Sequence, residues 1–144
     1  MTYEILGFEG ADSAVEANPV SGGINTSATV LRSIKTTGAQ FFAGTIVFLG
    51  EPIDFMGGTS ISIKTYSPKV GIPVRLKLEN EDASSFVELD VNTTVANEWE
   101  ELIWDFSGMD LSPDFNKAVL FFEFVVDLPG DGSTYYADDI KLAN

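Results

Sequence analysis

Hydrophobic and polar residues alternate along this chain with a period of two. Across Ser60–Tyr66, Ile61, Ile63 and Thr65 share one face while Ser62, Lys64 and Tyr66 share the other. Across Pro73–Glu79, Val74, Leu76 and Leu78 alternate with Arg75, Lys77 and Glu79. That period belongs to strands with one face toward a core. Similar runs, rich in β-branched and aromatic residues, fall at Tyr3–Glu9, Ala28–Ile34, Phe41–Leu49, Phe86–Val91, Glu100–Asp105, Ala118–Val126 and Tyr135–Leu142. The breaks between them carry turn chemistry, as in Asn18-Pro19 through Gly22-Gly23, Met56-Gly57-Gly58 and Pro129-Gly130-Asp131-Gly132. No stretch has a helical period; Asp110 to Asn116 has room for one turn, capped by Ser112 or Asp114. Short strands without helices between them predict an all-β protein, an antiparallel β-sandwich. With no repeat or linker, residues 1–144 read as a single domain.

Composition narrows the chemistry. The 144 residues contain no His and no Cys, which removes the imidazole base, the thiol nucleophile and Cys/His zinc sites. There is no Gly-x-Ser-x-Gly elbow and no phosphate-cradling glycine loop. Carboxylates such as Glu79, Glu88, Glu101 and Glu123 read as solvated residues on sheet faces rather than a glycosidase pair. A net charge of −14 repels phosphate backbones and anionic lipid, so nucleic acid and membrane surfaces are not expected partners. No apolar run is long enough to span a bilayer, and Met1-Thr2-Tyr3-Glu4 does not open like a signal peptide. A protein that is not an enzyme is the expectation.

Two candidate sites follow. If Ser60–Tyr66 and Pro73–Glu79 are neighbours, Lys64, Tyr66, Arg75, Lys77 and Glu79 meet on one exposed sheet surface. Such a row is either ordinary cross-strand ion pairing or a polar platform for a neutral, hydroxyl-rich ligand. Phe42 shares a face with Gly44, and a ring beside a glycine gap makes a flat shelf; Gly44 equally fits a bulge. Other aromatics read as core: Trp104 in register with Leu102 and Phe106, Trp99 after its turn, and Phe122 and Phe124 inward with Phe121 and Glu123 opposite. The second site is a cation. Alternation puts Tyr136, Asp138, Ile140 and Leu142 on an inward face, where a carboxylate is costly without a partner. Ca²⁺ held by Asp138, Glu9 and the Asn25 loop answers that cost; a register off by one, with Asp138 solvated, answers it differently.

The run Phe8-Glu9-Gly10, the loop Gly22-Gly23-Ile24-Asn25-Thr26-Ser27, Tyr66-Ser67-Pro68-Lys69, Trp99-Glu100-Glu101-Leu102 and the ending Tyr135-Tyr136-Ala137-Asp138-Asp139-Ile140 together resemble the jelly-roll carbohydrate-binding modules of Bacteroidetes, in the family-4-like β-sandwich group. The resemblance implies a non-catalytic module, a structural Ca²⁺ with Asp138 as a ligand, and an extracellular or cell-surface location beside an enzyme or glycan-binding protein. It also implies a Trp where this chain has Phe42. The expected function is binding of a polysaccharide, a neutral β-glucan such as laminarin, through Phe42, Lys64, Tyr66, Arg75, Lys77 and Glu79. The alternative is a structural or adhesive sandwich domain that binds no glycan.

Overall fold

A computed structural model describes residues 3–143; Met1, Thr2 and Asn144, the ends of the expected domain, lie outside the described residues. Ten strands form two antiparallel sheets: β1 Glu4–Phe8, β2 Ala11–Ala17, β3 Thr29–Lys35, β4 Gly44–Phe48, β5 Ser60–Tyr66, β6 Pro73–Glu79, β7 Phe86–Asn92, β8 Trp99–Asp105, β9 Lys117–Phe122 and β10 Ser133–Ala143. The first sheet runs β1-β4-β9-β6-β7 and the second β2-β3-β10-β5-β8. The fold is the predicted antiparallel β-sandwich.

The inward residues of each strand are those the alternation picks out. Val74, Leu76 and Leu78 of β6 meet Ala118, Leu120 and Phe122 of β9 in one layer, and Leu31, Ile61, Ile63, Leu102 and Trp104 in the other. Aromatic side chains make two of the contacts that stitch the layers. Phe122 stacks on Tyr135 with centroids 4.7 Å apart and planes 8° from parallel. The Trp104 indole N–H, in the second sheet, donates to the Val74 carbonyl of the first at 3.1 Å.

Four local readings change. Ala11–Ala17 is a strand although Ala, Asp and Glu are poor strand formers; it is an edge strand held in register along all of β3. The link before it, Glu9-Gly10, has φ of 55° and 103° and turns the chain from one sheet to the other. Asp110–Asn116 contains no helical turn, and a single 3-10 turn falls instead at Phe55–Gly57, with the Asp54 carboxylate accepting from the Met56 N–H. β9 ends at Phe122, because Glu123 adopts φ of 53°. That kink undoes the alternation beyond it, so Phe124 lands on the outer side beside Phe121 rather than in the core.

The second sheet's last strand also departs from simple alternation. Tyr135 and Ala137 point inward and are fully buried, which puts Tyr136 and Asp138 on the outer face. A bulge between Asp138 and Lys141, with Asp139 at φ 52°, then returns Ile140 and Leu142 to the core. Replacing Trp104 by Phe removes the interlayer hydrogen bond and opens space in a closed core, a loss of about 2–4 kcal/mol. Urea unfolding of the variant measures it.

Candidate functional site

The outer face of the first sheet is divided by register into two halves. Pairing aligns Phe8 with Gly44, and Phe121 with Arg75 and then Asp90. The next row runs Leu6, Ile46, Val119, Lys77 and Glu88. One half of the face is therefore apolar and the other charged. Between them lies an open hollow of about 460 Å³, lined by Phe8, Phe42, Phe121 and Phe124 on one side and Arg75, Lys77 and Glu88 among the groups on the other.

The apolar wall is a chain of rings. Phe42, Phe41, Phe124, Phe121 and Phe8 follow one another edge to face, with centroids 5.1, 5.5, 5.4 and 5.8 Å apart. Such T-shaped contacts satisfy the quadrupole of each ring and fix its tilt. Gly44 is the space that lets them converge: a Cβ there would stand 2.9 Å from both the Phe121 and Phe8 rings. The gap beside Gly44 is thus filled rather than left as a shelf. Phe42 precedes β4, in a turn, and stands at the rim with 37% of its surface exposed.

The charged half is paired throughout. Arg75 makes a bidentate contact with Asp90 at 2.7 and 3.1 Å and lies 3.8 Å over the Phe124 ring. The Asp90 hydrogen bond holds its proton more tightly than an ordinary arginine does. Lys77 Nζ is 3.0 Å from Glu79 and sits over Phe86 at 4.4 Å. Glu79, only 8% exposed, also faces Lys117 at 3.7 Å.

Of the six residues expected to bind ligand, the structure brings together Phe42, Arg75, Lys77 and Glu79. It does not bring Lys64 or Tyr66 to them. β5 and β6 belong to opposite sheets, so their polar faces point away from each other. Lys64 pairs with Asp139 at 2.7 Å. Tyr66 lies between Trp99 and Tyr136 in a row across the second sheet, with centroids 5.6 and 5.9 Å away. Trp99 is buried and donates its indole N–H to the Val20 carbonyl.

Of the three expected calcium ligands, Glu9 and Asp138 lie apart. Glu9 lies in the turn beside Thr36 and Gln40, next to the Lys35 end of β3. Asp138 is five positions along β10 from Ser133, which pairs with Lys35, so about 17 Å separates the two ends at the usual strand rise. Among the described residues, no group of three or more carboxylates comes together in a way that could hold a metal ion. What does remain is an orphan: Asp138 is 2% exposed and its Oδ2 has no partner. Asn25 is equally buried, but its Oδ1 already accepts from the Ser27 N–H, and its Nδ2 is unpaired.

Lys35 and the missing half of the Lys69 environment escaped the sequence reading. Lys35 follows the strand predicted over Ala28–Ile34, yet it continues the inward face of Leu31 and Ser33 and is 5% exposed. Lys69, in the turn after β5, reaches Glu123 at 2.7 Å and Asp131 at 2.6 Å. These contacts hold the Asp131 carboxyl well below the usual carboxylate range. They also raise the Lys69 ammonium, against the opposing effect of burial.

No family model and no curated protein matches the chain. Solved structures do match its fold. A family 29 carbohydrate-binding module aligns over 96% of this chain and 78% of its own, with a TM-score of 0.60 and 14% identity. A family 11 carbohydrate-binding module from Clostridium thermocellum, in complex with a β-1,3-1,4-mixed-linked tetrasaccharide, aligns over 97% and 87%, with a TM-score of 0.59 and 12% identity. An exo-β-agarase aligns over 95% of this chain but 22% of its own, with a TM-score of 0.66 and 13% identity. The structural neighbours thus include carbohydrate-binding modules with the jelly-roll sandwich fold.

The Lys69–Asp131 contact gives a pH signature. The folded state keeps Asp131 ionised to lower pH than the unfolded chain, whose aspartates titrate near ~3.9. Its contribution is therefore complete above about pH 5 and is lost as pH falls below about 4. Solvent screening of this half-exposed carboxylate holds it to about 1 kcal/mol or less. Asp131→Asn should lower stability at about pH 7, with the gap to the parent narrowing steadily as pH falls below about 4, measured by urea unfolding across that range.

Proposed function

We propose that this protein is a non-catalytic polysaccharide-binding module whose site is the hollow on the first sheet. The observation that carries the reading is the division of that hollow into an aromatic wall and a charged wall. Ring faces and edges suit the C–H surface of a sugar, while ionised side chains suit hydroxyl pairs. Each hydrogen bond to a charged group contributes roughly 1.5–3 kcal/mol. The family 29 and family 11 modules lend support as folds of the same kind. The agarase, of which the aligned part is 22%, supports attachment to a larger enzyme or surface protein, and so an extracellular setting.

A neutral β-glucan is favoured as ligand. Arg75 and Lys77 are each already neutralised by a carboxylate, and the chain carries −14 overall, so a polyanion finds no free cation among the described residues that line the hollow. The same carboxylates, Glu88 and Asp90, retain acceptor sites for hydroxyl donors. Calorimetric titration with laminarin, mixed-linkage glucan and alginate tests both points. Binding of the neutral glucans alone is the expected result, and salt-sensitive binding of alginate would overturn the charge argument. Phe42→Ala and Lys77→Ala should each weaken the glucan by roughly tenfold. Tyr66→Ala should leave it unchanged, because Tyr66 lies on the other sheet. If Tyr66→Ala alone weakens binding, the ligand is held by the second sheet instead.

A structural Ca²⁺ enters this reading only through Asp138 and its unpartnered oxygen. An ion bound to the folded state alone adds RT ln(1 + [L]/Kd) to stability. Excess chelator should then lower Tm in the parent and leave Asp138→Ala unaffected. An unchanged parental Tm removes calcium from the account.

A further inference from the structure

Among the described residues, Lys35 is the one lysine whose ammonium is spent wholly on backbone. Its Nζ lies 2.9 Å from the Phe41 carbonyl, 3.0 Å from that of Phe122 and 2.7 Å from that of Glu123. An ammonium has three donors and no acceptor, so three carbonyls saturate it. The three acceptors come from two chain segments that are distant in sequence. One is the turn that carries Phe41 and Phe42. The other is the end of β9, where Phe121 and Phe124 flank the kink at Glu123. These segments supply four of the five rings of the hollow's wall, and they meet through the Phe41–Phe124 contact at 5.5 Å.

The position would be unfavourable without that role. Burial lowers the affinity of Lys35 for its proton, while Glu123 opposes the effect. Glu123 is held in a left-handed backbone conformation that non-glycine residues rarely adopt. That conformation sends its carbonyl to Lys35 and its carboxylate to Lys69. Other routes across the gap are few: the Phe124 N–H pairs with Pro73 and the Gln40 N–H with Glu9, and neither joins the two segments to each other.

We propose that the Lys35 ammonium is the positioning group of the binding hollow, an internal cation that fastens the Phe41–Phe42 turn to the Phe122–Glu123 kink and so sets the tilt of the aromatic wall. Its importance for sugar binding rests on the function proposed above; its importance for the wall does not.

The chain has no cysteine, so Lys35→Cys introduces a unique thiol. Alkylating it in the unfolded chain with 2-bromoethylamine and refolding restores an ammonium on a thioether stem. Alkylation with bromopropane gives a neutral side chain of nearly the same size. The ring signals of ¹³C-labelled phenylalanine are read without any sugar. The aminoethylated protein should return the parental signals of Phe41, Phe42, Phe121 and Phe124. The propylated protein should lose them while the signals of the core residue Phe122 persist. Parental wall signals in the propylated protein would overturn the proposal, as would their collapse in the parent on adding excess chelator. Should the propylated chain fail to fold, the parent itself decides. Uniformly ¹⁵N-labelled protein at neutral pH should show one slowly exchanging NH₃⁺ resonance, missing in Lys35→Arg, and its absence from the parent overturns the proposal. Laminarin affinity is then measured on the same samples, with a loss of roughly tenfold expected on propylation alone. A parent that binds no laminarin but passes the ring-signal test refutes the functional reading and leaves the role of Lys35 standing.

Discussion

The site depends on one residue in an uncommon backbone state. Had β9 continued past Phe122 with ordinary alternation, Phe124 would have entered the core and left the outer face with Phe121 alone. Glu123 at φ 53° prevents that by stopping the strand and turning the next ring outward. A left-handed residue with a side chain stores roughly 1 kcal/mol or more, and such conformations persist only where the surroundings over-determine them. Here both ends of Glu123 are engaged, the carbonyl by Lys35 and the carboxylate by Lys69. The ring chain, the seat of Arg75 over Phe124 and the shape of the hollow all follow from that turn.

Alternation made the core of the sandwich legible because burial of one face per strand is a strong, periodic signal. Val74, Leu76, Leu78, Ile61, Ile63, Leu102 and Trp104 face inward as their spacing predicts. The signal failed wherever the backbone left the regular strand. Phe124 and the Tyr136–Asp138 pair were assigned to the wrong face because a single left-handed residue or bulge shifts parity without changing composition. The Ala-rich β2 escaped notice because its pairing with β3, not its own propensity, makes it a strand. Two of the six expected ligand residues lie elsewhere for a different reason. Sequence adjacency of β5 and β6 says nothing about which sheet each joins, and in a sandwich consecutive strands often change layers. Lys64 and Tyr66 therefore lie across the protein from Arg75 and Lys77. A lysine at a strand end, as Lys35 is, reads from sequence as solvent-facing; only the meeting of three carbonyls explains its burial.

The hollow's charges are ordered before any ligand arrives. Arg75 is fixed by two hydrogen bonds to Asp90 and by the Phe124 ring, and Lys77 is caught between Glu79 and Phe86. Side chains already held in place lose little freedom when a ligand binds. The cost of that order is reduced strength per contact, since each charge offers only the lone pairs its neighbours leave free. On the proposed function, such a surface would give weak, shape-dependent binding that gains from several sugar units along the face.

The acidity of the chain has a further consequence at the four strands that border the sheets. β2 carries Asp12 and Glu16, β7 carries Glu88 and Asp90, β8 carries Glu100 and Glu101, and β1 begins at Glu4. An exposed edge invites pairing with the edge of another molecule. Pairing of such edges between two copies of this chain would crowd carboxylates along the new ladder. On the proposed function, a module crowded against its own copies on a polymer surface would thereby be kept from growing into a shared sheet.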